Sequence, residues 1–364
     1  MIQFLFFCLG LAALVGGAEL LVRGASRLAL SYGISPLVVG LTIVAFGTSA
    51  PEMAVSVGSA LKGEADIAVG NVVGSNIFNV LFILGASSLV APLVVNAQLI
   101  RQEVPIMVGA SILLIALAWD GTISRADGIV FVLLLVFYTG FLVVQSRRAS
   151  KGTQAEYADE FGDGTPVWLR KLVAHRGGQV LLVAVGLVLL VVGSGWLVEA
   201  AVVVAKALGV SELVIGLTIV AAGTSLPEVA TSIMATIRGE RDIAVGNVVG
   251  SNTFNILGCL GASAAVAPDG LLMAPSLLSF DIWVMLAGAV ACLPVFFTGR
   301  TISRREGLLF LGYYVAYSAF LVLAAQHSDG LALFSRAMVY AVMPLTVLAL
   351  AVGLWRHGRR RRRA

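Results

Sequence analysis

Residues 37–93 and 213–269 of this chain carry one 57-residue text twice, aligned without a gap at a spacing of 176 and identical at 38 positions. Each copy holds one carboxylate inside an otherwise apolar stretch, Glu52 in GTSAPE and Glu228 in GTSLPE. An ionisable group at the centre of a membrane span costs roughly 2.5–3.5 kcal/mol on insertion scales, so it persists where it has a function. Repetition combined with a buried acid points to a cation site at an internal pseudo-symmetry axis.

The apolar stretches around the repeat set the fold class. Hydrophobic residues make up 59% of the 364 and charged residues 12%, too little polar surface for a soluble globule. Runs long enough to cross about 30 Å of hydrocarbon as helices lie near 2–22, 36–61, 67–91, 103–118, 127–145, 179–205, 212–237, 243–267, 277–298, 306–325 and 332–355, eleven in all. The short alternating strands of an outer-membrane barrel are missing, which leaves helices as the way to satisfy the backbone in lipid. The first run has neither a basic leader nor a small-residue cleavage site and reads as a retained membrane helix. Cys8, Cys259 and Cys292 fall within spans and read as small packing residues.

Numbering the loops alternately puts 20 of the 24 basic residues on one side, leaving Lys62, Arg125, Lys206 and Arg336 on the other. The positive-inside rule then places the N-terminus outside and the C-terminal RHGRRRRR in the cytoplasm, where it anchors topology against lipid headgroups. Copy one occupies spans two and three and copy two spans seven and eight. A shift of five helices is odd, so the copies enter the membrane from opposite faces. TISRADG at 122–128 echoes TISRREG at 301–307, and Glu103 aligns near Asp281. The expected architecture is an all-α polytopic membrane protein of two inverted five-helix repeats, 1–145 and 179–326. A cytoplasmic linker, 146–178, joins them, and an extra transmembrane helix with a basic tail occupies 327–364. Inverted repeats are a recurring build of secondary transporters, with the site where the halves meet.

Thr48, Ser49 and Glu52 are spaced to share one helix face, as are Thr224, Ser225 and Glu228. Pro51 and Pro227 precede the acids and remove a helical hydrogen bond, which is expected to free carbonyls around Ala45 to Gly47 and Ala221 to Gly223. In the next helices Asn71, Ser75 and Asn79 recur every four residues, as do Asn247, Ser251 and Asn255. Carboxylate, hydroxyl, amide and carbonyl oxygens suit hard cations such as calcium and sodium. Gly70-x-x-x-Gly74 and Gly246-x-x-x-Gly250 permit close helix contact. A single serine here would read as glue between helices, but two repeat-related glutamates read as functional. Of the other acids, Asp66 and Asp242 are expected to cap helices, Glu19 to pair with Arg23 within the first helix, and Glu103 and Asp281 to sit at helix starts.

GTSAPE and GTSLPE, each followed by GNVVGSN-x-FN, resemble the paired alpha-repeats of the cation/calcium exchanger superfamily, in particular prokaryotic sodium/calcium exchangers. The resemblance implies calcium binding by Glu52, Glu228, Thr48 and Thr224. It implies sodium binding by Ser49, Ser75, Ser225, Ser251 and the carbonyls of Ala45 and Ala221, with Asn79 and Asn255 completing the centre. It also implies that spans one and six slide across the core as a gate. Many exchangers have an aspartate where this chain has Asn255, so the centre holds two acids.

The expected function is exchange of calcium for sodium by alternating access at a midplane site. Calcium/proton or sodium/proton antiport through the same glutamates is the alternative. The expected partners are calcium, sodium or protons and membrane lipid, with no nucleic acid and no cofactor. An enzyme is not expected: neither copy has H-E-x-x-H or a Ser paired to His, and His175, His327 and His357 lie in loops or tails.

Overall fold

The structure, a computed structural model, describes residues 2–160, 174–207, 221–326 and 328–361. Among them nine helices are long and apolar enough to cross a membrane, and a pair bent by 47° makes a tenth crossing. In chain order they are α1 (Phe4–Tyr32), the bent pair α2 (Pro36–Thr48) and α3 (Ala50–Leu61), α4 (Ala65–Val90), α5 (Leu99–Asp120), α6 (Arg125–Ser146) and α7 (Arg176–Lys206). The shorter apolar α8 (Leu226–Ile237) is followed by α9 (Arg241–Val266), α10 (Leu277–Phe297), α11 (Arg304–Ala325) and α12 (Gly330–Val352). The expected span over 212–237 is described from Ala221 onward. Its first part, linker residues 161–173, His327 and the last three residues lie outside the described residues. Helical backbone continues beyond α6 to Glu160, so the segment expected as a linker from 146 begins as helix.

Among the described residues four two-residue strands reveal how the halves interlock. β1 (Leu93–Val94) follows α4, β2 (Thr122–Ile123) follows α5, β3 (Leu271–Leu272) follows α9 and β4 (Thr301–Ile302) follows α10. β1 pairs antiparallel with β4, and β2 with β3. β1 and β3 occupy equivalent loops of the two halves, as do β2 and β4, so each ribbon joins non-equivalent loops from opposite halves. α5 spans 22 residues, about 33 Å at 1.5 Å per residue, and so separates β1 from β2 by the membrane thickness. A loop of one half therefore shares its face with the other half's non-equivalent loop, which is the geometry of an inverted repeat. In each ribbon a buried leucine, Leu93 or Leu271, faces a buried isoleucine, Ile302 or Ile123.

The echo TISRADG/TISRREG marks two helix starts. Ser303 and Glu306 form a capping box at the start of α11, and Ser124 and Asp127 exchange the same reciprocal bonds at the start of α6. Asp66 and Asp242 fall two positions further in than expected: Glu64 and Glu240 occupy the caps, and the aspartates sit in the first turn. A carboxylate there still faces the positive end of the helix dipole.

The apolar stretch of α9 is buried, while α12 has no buried residue along its own. The repeat helices thus form the core, and the extra helix lies at the periphery, touching α11 through Tyr313 and Thr346 at 2.7 Å. Small residues set the closest crossings. A Cβ on Gly250 would lie 2.6 Å from the Leu41 carbonyl oxygen, and one on Gly17 2.8 Å from that of Gly186, so α9 meets α2, and α1 meets α7, nearly backbone to backbone.

Glu103 and Asp281 do not merely cap helices. Each ends a π-helical turn, Leu99–Glu103 or Leu277–Asp281, and is buried against a tyrosine of the following helix. Tyr138 donates to Glu103 at 2.6 Å, and Tyr317 to Asp281 at 2.8 Å. Gln98 and Gln102 also donate to Glu103, at 2.9 and 2.7 Å. A buried carboxylate needs such donors, and these partners come from packing that sequence spacing does not reveal.

Candidate cation site

Helix α2 ends where Ser49 leaves helical geometry at φ −82°, ψ 10°, and α8 begins after Ser225 at φ −89°, ψ 7°. Pro51 and Pro227 then sit in the first turn of the continuing helix, where a missing N–H is tolerated. The break turns the serines and glutamates inward. Ala45 departs from expectation: its carbonyl oxygen accepts the Ser49 N–H at 3.0 Å, with the Thr48 hydroxyl 3.4 Å away. The oxygen whose helical partner Pro51 removes is that of Gly47, four residues before it.

Each glutamate is held by the opposite half. Ser49 donates to Glu228 Oε1 at 2.8 Å, and Ser225 donates to Glu52 Oε1 at 2.8 Å. Asn71 donates to Ser56 Oγ at 2.9 Å and Asn247 to Ser232 Oγ at 3.0 Å. The same two amides donate to the backbone oxygens of Glu52 and Glu228 at 3.2 and 3.4 Å. Thr48 donates to Asn247 Oδ1 at 3.2 Å, and Thr224 to Asn71 Oδ1 at 3.4 Å. Ser75 lies beside Ser225, their hydroxyl oxygens 3.2 Å apart. These bonds gather the expected side chains into two matching networks, Thr48, Ser49 and Asn247 around Glu228, and Thr224, Ser225, Ser75 and Asn71 around Glu52. Asn79 and Asn255 each begin a π-helical turn, Asn79–Ile83 or Asn255–Leu260, a wide turn often found at functional sites.

Glu52, Glu228, Thr48, Ser49, Ser75, Asn79, Ser225, Ser251 and Asn255 are all buried. Four oxygens among them have no hydrogen-bond partner: Glu52 Oε2, Glu228 Oε2, Asn79 Oδ1 and Ser251 Oγ. Among the described residues no Lys or Arg pairs with either glutamate. Buried carboxylates without a countercharge are costly, and a bound cation would satisfy the orphaned oxygens.

The sodium/calcium exchanger protein family model matches residues 2–144 and 178–323. The chain belongs to the sodium/calcium exchanger family. The chain is 38% identical over 322 residues to the putative antiporter CaxA of Alkalimonas amylolytica, covering 87% of this chain and 98% of that one. Inner membrane protein YrbG of Escherichia coli strain K12 is 37% identical over 319 residues, covering 86% and 94%. A structure of the sodium–calcium exchanger NCX_Mj, soaked with 2.5 mM Na+ and 0.1 mM Ca2+, matches with TM-score 0.73 at 29% identity, covering 88% of this chain and 98% of that one.

Within this exchanger-family cluster, two features were not singled out from sequence. Asn76 and Asn252, one residue after Ser75 and Ser251, face each other across the centre; their recurrence in both SN-x-FN motifs was the available signal. Cys259 does more than pack: its thiol lies 3.6 Å from Asn255 Oδ1 and 4.0 Å from the Ser49 carbonyl oxygen, where copy one has Ile83.

The exchanger halves are not equally covered. Thr48 and Asn247 are fully buried, whereas their equivalents Thr224 and Asn71 are half-buried, and buried Thr231 replaces exposed Val55. Helix α1 packs along α8. There Glu19 pairs with Arg238 as well as with Arg23, and Ser26 donates to Glu240 at 2.6 Å. The α8 side of the site is therefore closed, and the α3 side is less covered.

Proposed function

We propose that this chain exchanges calcium for sodium by alternating access, with the ions taken at the cluster where the two halves meet. The observation that carries the reading is the pair of buried carboxylates, each held through Oε1 by the other half's serine and each leaving Oε2 unpartnered. In this reading Glu52, Glu228, Thr48 and Thr224 take calcium. Ser49, Ser75, Ser225, Ser251, Asn79, Asn255 and the carbonyl oxygens of Ala45 and Ala221 take sodium. Ala45 does so with the lone pair that its helical bond leaves free. The protein lies in the cytoplasmic membrane with its N-terminus outside. The sparsely covered α3 side then faces outward, and sliding of α1 and α7 uncovers the α8 side.

Asn255 bears on the coupling. Two carboxylates balance one calcium or two monovalent ions, whereas a third sodium leaves a positive charge desolvated in the site. The same count favours one competing reading, exchange of calcium or sodium for protons, because each unpartnered Oε2 can carry a proton. Radiolabelled calcium uptake into proteoliposomes separates them: a sodium gradient alone drives uptake in the first reading, and only a proton gradient drives it in the second. Uptake without countertransport would make the protein a channel and overturn both. Voltage-clamped vesicles test the coupling, since steep voltage dependence contradicts a charge-balanced exchange.

A further inference from the structure

We infer that Asn76 and Asn252 are positioning residues that turn the amide oxygens of Asn79 and Asn255 toward the transported cation. The inference rests on the proposal that those two amides are ligands. An amide presents either an oxygen, which attracts a cation, or an NH2, which repels it, and the two ends are nearly identical in shape. Something must therefore choose between them.

The choice follows from groups that have no choice. Asn252 Nδ2 lies 3.2 Å from the backbone oxygen of Asn76, and a carbonyl oxygen only accepts. The NH2 end of Asn252 must be there, which leaves its Oδ1 facing Asn79. Asn79 Nδ2 donates to that oxygen at 3.0 Å. The reverse orientation of Asn79 would set oxygen against oxygen, so its Oδ1 points the other way, and it is one of the four oxygens of the candidate site's side chains without a hydrogen-bond partner.

The second half repeats the argument. Asn76 Nδ2 donates to the backbone oxygen of Asn252 at 3.2 Å, and Asn76 Oδ1 accepts Asn255 Nδ2 at 3.1 Å. Among the described residues the released Asn255 Oδ1 meets only the Cys259 thiol, a weak donor, at 3.6 Å. All four asparagines are buried. Each half's ligand amide is thus oriented by the other half, and the oriented site exists only when both halves are docked.

The test is a double-mutant cycle on the full-length protein. It reads the half-saturating sodium and calcium concentrations in proteoliposome flux, and the cation-dependent rise in Tm of the purified protein. Asn252→Leu should raise the half-saturating concentrations about tenfold, the order expected when one ligand oxygen is replaced by a donor. Asn79→Asp presents an oxygen whichever way it turns. In that background Asn252→Leu should cause no rise, or should lower the value by removing an oxygen that faces the new carboxylate.

An equal rise in both backgrounds, or no rise in either, overturns the positioning role. If Asn79→Leu leaves both concentrations unchanged, the ligand reading itself fails. Should Asn252→Leu not yield folded protein, Asn76→Leu with Asn255→Asp poses the same question in the other half, with the same outcomes counting for and against.

Discussion

Ser49 of the first half donates its hydroxyl hydrogen to Glu228 of the second at 2.8 Å, and Ser225 returns the same bond to Glu52. Removing a donor from a buried charged group typically costs about 1.5–3 kcal/mol. Ser49→Ala and Ser225→Ala should therefore lower stability by similar amounts, read as urea or thermal unfolding of the purified protein. Strongly unequal losses would show that the reciprocal bonds are not equivalent in energy.

Glu52→Gln and Glu228→Gln keep the shape of the side chain and an acceptor for the opposing serine while removing the charge. Both variants should insert and fold but lose calcium-dependent exchange. Wild-type flux from either one would remove the glutamates from the transport site.

Glu19 joins α1 to Arg238 at the end of α8, beside the Ser26–Glu240 bond. Arg238→Gln should loosen that closure. Surface ion pairs contribute up to about 1 kcal/mol, enough for a several-fold shift between two arrangements of similar energy. Thr231 is fully buried, so in a Thr231→Cys background a membrane-impermeant thiol reagent applied from the Arg238 side should label residue 231 faster when Arg238 is neutralised. Equal labelling rates would show that the pair does not hold the closed side.

Glu103 keeps two glutamine donors when Tyr138 is replaced, whereas Tyr317 supplies Asp281 with its only side-chain donor among the described residues. Tyr317→Phe should therefore lower Tm more than Tyr138→Phe, with losses on the order of 1–3 kcal/mol. The reverse order would mean that the glutamines do not compensate.

Gly250→Ala should destabilise by about 1–3 kcal/mol, because the new Cβ would meet the Leu41 backbone at 2.6 Å. Gly58→Ala, in open space within α3, is the control and should be neutral or slightly stabilising. A neutral Gly250→Ala would show that α2 and α9 can move apart freely.

The membrane class, the helices and the inversion were legible because they are local or countable: an apolar run long enough to span, a copied segment, an odd number of crossings between the copies. Glu52 and Glu228 were legible because a carboxylate stands out in an apolar run. The serine partners of these acids were not, since Ser49 and Glu228 lie 179 positions apart. Helical spacing pointed instead to neighbours within one copy. Within the stretch Ala45 to Gly47 expected to lose helical bonds, Ala45 keeps one from the Ser49 N–H, because proline removes only the bond four residues back, that of Gly47. Asn76 and Asn252 escaped notice because an amide's orientation depends on what faces it across the centre.

What the chain's text determined by itself was a nearly two-fold set of ligands, repeated at a spacing of 176. It could not determine which side of that set is covered, because near-identical copies allow two near-equivalent arrangements. Only the tertiary structure decided it: α1 lies against α8, and Thr48 and Asn247 are more deeply buried than Thr224 and Asn71. The physical reason is that packing one face of a pseudo-symmetric molecule leaves its equivalent face without the same cover.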